Sequence, residues 1–115
     1  MAHFNFEAFK RAFEAKDAEA WLSFFTPDAE WIEYRDKAPP KAPNRMVGTQ
    51  QIGDFLRRVS TTDIVLAITD EVLGQERAAF CVTCAFPDGN KIIENVIVHL
   101  QDGKIVRQVD VEAWD

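Results

Sequence analysis

Two Asp-Gly pairs constrain this chain more than any other feature, because each forces a reversal and together they cut the last third into three long strands. The strands run over Arg77–Phe86, Lys91–Gln101 and Lys104–Ala113, broken at Pro87-Asp88-Gly89-Asn90 and at Asp102-Gly103. Glycine supplies the left-handed backbone that a tight reversal needs. The last strand carries an acid, Asp110, among residues that otherwise read as core. An antiparallel meander needs cover on its apolar face, and a carboxylate under that cover is paired, protonated or in use.

The first half of the chain offers the cover. Asn5 is placed to cap a helix with Phe6, Phe9, Ala12 and Phe13 on one face, and Asp17 to cap a short second helix carrying Trp21, Leu22, Phe24 and Phe25, stopped by Thr26-Pro27-Asp28. Residues 29–35 alternate and include Trp31, Ile32 and Tyr34, which predicts a strand. Pro39, Pro40 and Pro43 make 36–44 an extended loop without regular hydrogen bonding. Gly48 and Thr49 open a third helix in which Ile52, Phe55, Leu56 and Val59 share a face, and 63–73 begins the sheet. Gly53 inside that helix costs about 1 kcal/mol relative to alanine unless it permits close packing. The expected fold class is α+β, with the helices gathered on one face of a bent antiparallel sheet.

A chain of 115 residues, 47% of them hydrophobic, suits one domain over 1–115. Nineteen acids against thirteen bases leave a net charge of −6 with no basic cluster, which argues against a nucleic-acid partner. The start lacks the basic and apolar segments of a signal peptide, and no apolar run approaches the ~20 residues of a membrane span, so a cytoplasmic location off the membrane is expected. Cys81 and Cys84 point to opposite faces of a strand and are expected to be free thiols. Without a glycine-rich phosphate loop, a serine elbow or a histidine-rich set, neither a cofactor nor a metal is expected.

Two registers of the final hairpin give different sites. A two-residue primed turn at Asp102-Gly103 sets Asp110 opposite Asn95, whereas a three-residue turn with a glycine bulge sets it opposite Glu94. The bulged register agrees better with the neighbouring strand, because Phe80, Val82, Cys84 and Phe86 then continue into Ile92, Glu94, Val96, Val98 and Leu100, and on to Val106, Gln108, Asp110 and Glu112. Glu94 and Asp110 become a pair sharing a proton, able to act as general acid and base, with Gln108 orienting them. Glu33 is the second candidate acid, on the same strand side as Trp31 and Arg35. Tyr34 is the sole tyrosine available as a phenol donor. His99 falls outside the cavity in this register and is kept as a secondary candidate. Trp31, Tyr34, Phe55, Phe80, Val96, Gln108 and His99 are the expected substrate contacts, with Asp110, Glu33 and Glu94 as the catalytic acids.

Four segments carry a resemblance in order and spacing: Ala15-Lys16-Asp17-Ala18-Glu19-Ala20-Trp21, Thr26-Pro27-Asp28-Ala29-Glu30-Trp31, Gly48 four residues before Ile52, and Asp102-Gly103-Lys104-Ile105 leading to Asp110. With these the chain resembles the SnoaL-like branch of the nuclear transport factor two-like superfamily. The resemblance implies a cone whose open end holds a small-molecule pocket, commonly in dimers. It places Asp110 where limonene epoxide hydrolases and polyketide cyclases are similar in holding a catalytic aspartate, and Glu33 where ketosteroid isomerases hold their base. It departs from them as well. Phe6, Phe9 and Phe13 stand where isomerases have a helix-one tyrosine, Ala79 and Cys81 where epoxide hydrolases have further catalytic residues, and Val96 where cyclases have a histidine. The expectation is a small-molecule pocket protein acting as a cofactor-independent isomerase, cyclase/lyase or hydrolase, with a carboxylate as general acid/base on an apolar carbonyl compound, or else a non-catalytic ligand-binding or interaction domain of the same fold. A homodimer through the outer sheet face is expected.

Overall fold

A computed structural model describes residues 3–115. Helices α1 (Phe6–Glu14) and α2 (Ala18–Leu22) are followed by strands β1 (Phe25–Tyr34) and β2 (Asn44–Val47), helix α3 (Gly48–Ser60), and strands β3 (Val65–Leu73), β4 (Arg77–Ala85), β5 (Lys91–Gln101) and β6 (Lys104–Trp114). The six strands form one curved sheet in the order β2-β1-β6-β5-β4-β3, antiparallel except for the β1–β6 pair, which is parallel. This is the α+β fold that the pattern predicts. No helix among the described residues is long and apolar enough to cross a membrane.

Local chemistry sets the helix starts. The Asn5 side chain accepts from the Ala8 amide at 3.0 Å and that of Asp17 from the Ala20 amide at 3.2 Å, each satisfying a first-turn donor. Gly53 lies where α3 crosses α2, and a Cβ there would stand 3.1 Å from both Leu22 Cδ2 and Arg57 Nη1. Close packing is therefore what this mid-helix glycine allows.

Three expectations about the elements need correction. Thr26-Pro27-Asp28 does not end a helix: α2 stops at Leu22, and these residues already belong to β1, within a register break between Phe25 and Glu30 that leaves the proline outside the ladder. The proline-rich stretch is not uniformly extended, because Arg35 and Ala38 exchange both backbone hydrogen bonds. It also ends in strand β2, whose pairing with β1 the prolines mask in the sequence.

The last hairpin takes the two-residue turn, with Gln101 opposite Lys104 and positive φ at both Asp102 (51°) and Gly103 (77°). Asp tolerates that conformation, so no third turn residue is needed. A register shift then follows between His99 and Leu100: Leu100 faces Ile105, whereas His99 faces Arg107, leaving Val106 as the extra residue. The bulge brings both Ile105 and Gln108, three residues apart, into the buried interior. Beyond it Asp110 lies opposite Val96, a pairing that neither sequence register anticipates. The preceding turn does match its bulged reading, with Phe86 bonded to Asn90 around Gly89 at φ 94°.

The core lies between the helices and the concave sheet face. At the end nearest α1 it is aromatic: the Phe9 ring is 5.7 Å from Phe80 and 5.5 Å from Phe24, and Phe9 is fully buried.

Candidate functional site

The pairing places the inner-face acids in two adjoining rows. One row runs Phe80, Val96, Asp110, Glu33 across β4, β5, β6 and β1; the next runs Ile68, Val82, Glu94, Glu112 across β3 to β6. Asp110 thus stands beside Glu33, and Glu94 beside Glu112. The expected Glu94–Asp110 opposition is replaced by two side-by-side pairs, because the two-residue turn and the Val106 bulge each move β6 by one residue relative to the bulged-turn register. That shift preserves the face and changes the partner.

Glu33, Glu94 and Glu112 line a cavity of about 260 Å³. Its walls are aromatic: Trp21, Trp31, Phe55 and Trp114 contribute, with Phe25 stacked behind Trp31 at 5.8 Å. Arg35 is the one basic residue on the lining, and its guanidinium sits 4.2 Å over the Trp114 ring. Glu33, Asp110 and Glu112 bring carboxyl oxygens within 4.8 Å of one another.

Asp110 is fully buried and stands behind the cavity surface. Its Oδ2 accepts from Trp31 Nε1 at 2.9 Å and its Oδ1 from Gln108 Nε2 at 3.1 Å. Burial raises its pKa well above the ordinary value, repulsion from Glu94 adds to this, and the two donors oppose it. Gln108 Oε1 is buried without a partner. With Asp110 protonated, its O–H can donate to Oε1 of a turned-over Gln108 amide.

Burial likewise pushes Glu33 up to about 9, with repulsion from Glu112 and Asp110 adding to it and Arg35 opposing. Glu94 is pushed up to about 8 by burial and then by Glu112, while a Cys84 thiol contact at 3.5 Å opposes. Close acids sheltered from water cannot all ionise, so protons are retained among them at neutral pH. Cys84 is a free thiol whose pKa burial raises, and Cys81 is free on the opposite face.

The structure brings Glu33, Glu94, Trp31 and Phe55 to the cavity wall. Gln108 is buried and touches Asp110 rather than the cavity; Phe80 and Val96 are packed in the core. Tyr34, the last residue of β1, takes the face opposite Glu33, beside Val111. His99 pairs with Arg77 and Arg107 on the outer face. Gln108, Phe80, Val96, Tyr34 and His99 are therefore not wall residues. Glu112, Trp21 and Trp114 are wall residues that the sequence reading did not single out; Glu112 was signalled by its place two residues beyond Asp110 on the same strand face.

A search of curated protein sequences gives no match. Among solved structures the chain is similar to a nuclear transport factor two-like protein of unknown function from Mesorhizobium loti, at 17% identity and a TM-score of 0.81 over 94% of this chain and 87% of that one. It is similar to a SnoaL-like protein of unknown function from Burkholderia thailandensis, at 18% identity and a TM-score of 0.71 over 93% and 89%. A third, from Catenulispora acidiphila, has a ketosteroid isomerase-like fold and was solved in complex with trimethylamine; it is 14% identical, with a TM-score of 0.69 over 91% and 82%. These likenesses establish the fold. The SnoaL-like domain model matches residues 6–108, nearly the whole chain, and the chain belongs to the SnoaL-like domain family.

Proposed function

We propose that the cavity is a small-molecule site in which Glu33, supported by Glu112 and Glu94, moves a proton on a compact carbonyl compound. The observation that carries this reading is the placement of Glu33 on the wall of an aromatic-lined cavity beside Glu94 and Glu112, where burial pushes its pKa up to about 9. A carboxyl that keeps its proton can donate a hydrogen bond to a carbonyl oxygen while a neighbouring carboxylate removes a proton from the adjacent carbon; returning that proton to another carbon completes an isomerisation. Asp110 touches no ligand in this scheme. It is a positioning residue that holds Trp31 by its indole N–H and resists ionisation of Glu33. The chemistry needs no cofactor.

A binding domain without catalysis is the second reading, favoured by the outward placement of Tyr34 and His99, which removes the phenol and imidazole from the cavity. The two separate by NMR. In deuterated buffer an enzyme exchanges the α-protons of small cyclic ketones, and Glu33→Gln slows that exchange at least about tenfold. Ketones that shift cavity resonances without any exchange favour the binding domain. We also propose that the chain pairs with a second copy through its outer sheet face, where Ile93, Ile97 and Val111 are exposed; sedentimentation at micromolar concentration reads this directly, and a monomer refutes it.

A further inference from the structure

Arg35 is the one basic residue on the wall of an acid-lined cavity, yet among the described residues it forms no ion pair with any of those acids. Its side chain is held by other contacts. The guanidinium stacks 4.2 Å over Trp114, and Trp114 is fixed in turn by donating from Nε1 to Glu112 Oε1 at 2.8 Å. The backbone is pinned too, since Arg35 and Ala38 exchange both hydrogen bonds, at 3.1 and 3.0 Å, and Ala38 is buried. A guanidinium stacked on a ring keeps its N–H groups in its own plane, directed past the ring edge. Arg35 Nε is buried without a partner, which leaves the Nη groups as the donors open to a ligand. The wall therefore carries a fixed planar donor fork with no acid to fill it.

The approach to the cavity has the same sign. The chain is acidic, at −6, but four of its thirteen bases, Arg35, Lys37, Lys41 and Arg45, fall within residues 35–45, where Asp36 is the one acid. Arg35 and Asn44, at the two ends of this loop, line the cavity; Lys37 and Lys41 are exposed, and Arg45 pairs with Glu30. A basic rim on an acidic chain raises the local concentration of anions.

We infer that the cavity recognises a small organic monocarboxylate, a cyclic carbonyl compound whose carboxylate is bound by the Arg35 fork and whose ring packs against the aromatic wall. The neighbouring acids suit such a ligand as long as they keep their protons, because a protonated carboxyl donates to a carboxylate or carbonyl oxygen instead of repelling it. The titratable groups facing Arg35 are Glu33 from β1, Glu112 and the more deeply placed Asp110 from β6, Glu94 from β5 and Cys84 from β4; β2 contributes Asn44, and the helices and β3 contribute no titratable wall residue. This inference rests on the cavity being a small-molecule site and narrows the class of molecule.

The test compares 3-oxocyclohexane-1-carboxylate with 3-oxocyclohexane-1-carboxamide, which has the same ring and ketone but no charge. Binding is followed by tryptophan fluorescence and by calorimetry in buffers of different ionisation enthalpy. At pH 6 the carboxylate is expected to bind about tenfold or more tightly than the carboxamide. Its affinity should fall between pH 6 and pH 9 as Glu94 and Glu33, pushed up to about 8 and about 9, lose their protons, and calorimetry at pH 8 should show protons taken up on binding. The ligand's own carboxylate does not titrate in that range, so the fall reports the site. Arg35→Gln should abolish the preference for the carboxylate. Arg35→Lys, which keeps the charge but loses the planar fork, should lose most of it and serves the comparison if the first variant does not fold. Equal binding of the two compounds, a preference that survives in Arg35→Gln, or carboxylate affinity that rises with pH overturns the inference and leaves the small-molecule site intact. If the carboxylate, the carboxamide and simple cyclic ketones all fail to bind, both this inference and the proposed function fall.

Discussion

The two ends of the same sheet face are built on opposite principles. Towards α1, Phe9, Phe24, Phe80 and Ile105 pack into a dry interior, and every side chain gains by being out of water. A few residues further along β6, the face carries Asp110 and Glu112 beside Glu33 and Glu94, and the packing opens into a cavity. Shielding acids from water costs stability unless they are neutralised, so this end holds its protons and its empty space at the expense of stability. A fold stabilised at one end tolerates a strained site at the other.

Substitutions that probe each end should show this asymmetry, and Phe9→Ala should have the largest effect. It empties the dry end and should lower unfolding free energy by about 3–5 kcal/mol in urea titrations. Phe55→Ala, which only enlarges a cavity already present, should cost less. A smaller cost for Phe9 than for Phe55 would reverse the assignment of core and site.

Asp110 tests the boundary between the ends. Asp110→Leu leaves the Trp31 and Gln108 N–H groups buried without acceptors, at about 1–3 kcal/mol for each orphaned donor. Asp110→Asn should be close to neutral, because its oxygen still accepts from Trp31 and its amide can donate to Gln108 Oε1 once the glutamine turns over. Equal losses in the two variants would show that Asp110 is held ionised.

The remaining prediction concerns pH dependence. In the unfolded chain Glu33 and Glu94 titrate near the ordinary value of 4.5, and in the fold they are pushed up to about 9 and about 8. Between those values the folded chain binds more protons than the unfolded one. Stability should therefore be fullest below about pH 4.5 as far as these groups are concerned, and decline as pH rises towards 9. Glu33→Gln should flatten that decline and raise the melting temperature at pH 8. Melting curves at pH 5, 7 and 9 measure it; a wild-type slope of the opposite sign excludes retained protons at this end.

How far the site could be read from the sequence depended on which interactions were local. Asn5, Asp17 and Gly89 act within a few residues, and their capping and turning roles were legible. The inward face of Asp110 was legible too, since alternation fixes it once the strand is recognised. Its companion was not. The Val106 bulge has no turn residue to mark it and arises because both Ile105 and Gln108 are drawn into the interior, a demand set by the opposing layer. Glu33 reached Asp110 only through the parallel β1–β6 pairing, a contact across 77 residues of chain that no local pattern encodes.

By itself, then, the sequence determined the helices, the meander, the apolar face and the presence of an inward acid, because hydrophobic period and turn chemistry act over short stretches. Tertiary structure alone decided that four acids meet in adjoining rows, that Tyr34 turns away, and that Trp21 keeps an unpaired donor. Those outcomes depend on strand order, one bulge and the distance between layers, which form only when remote segments pack together.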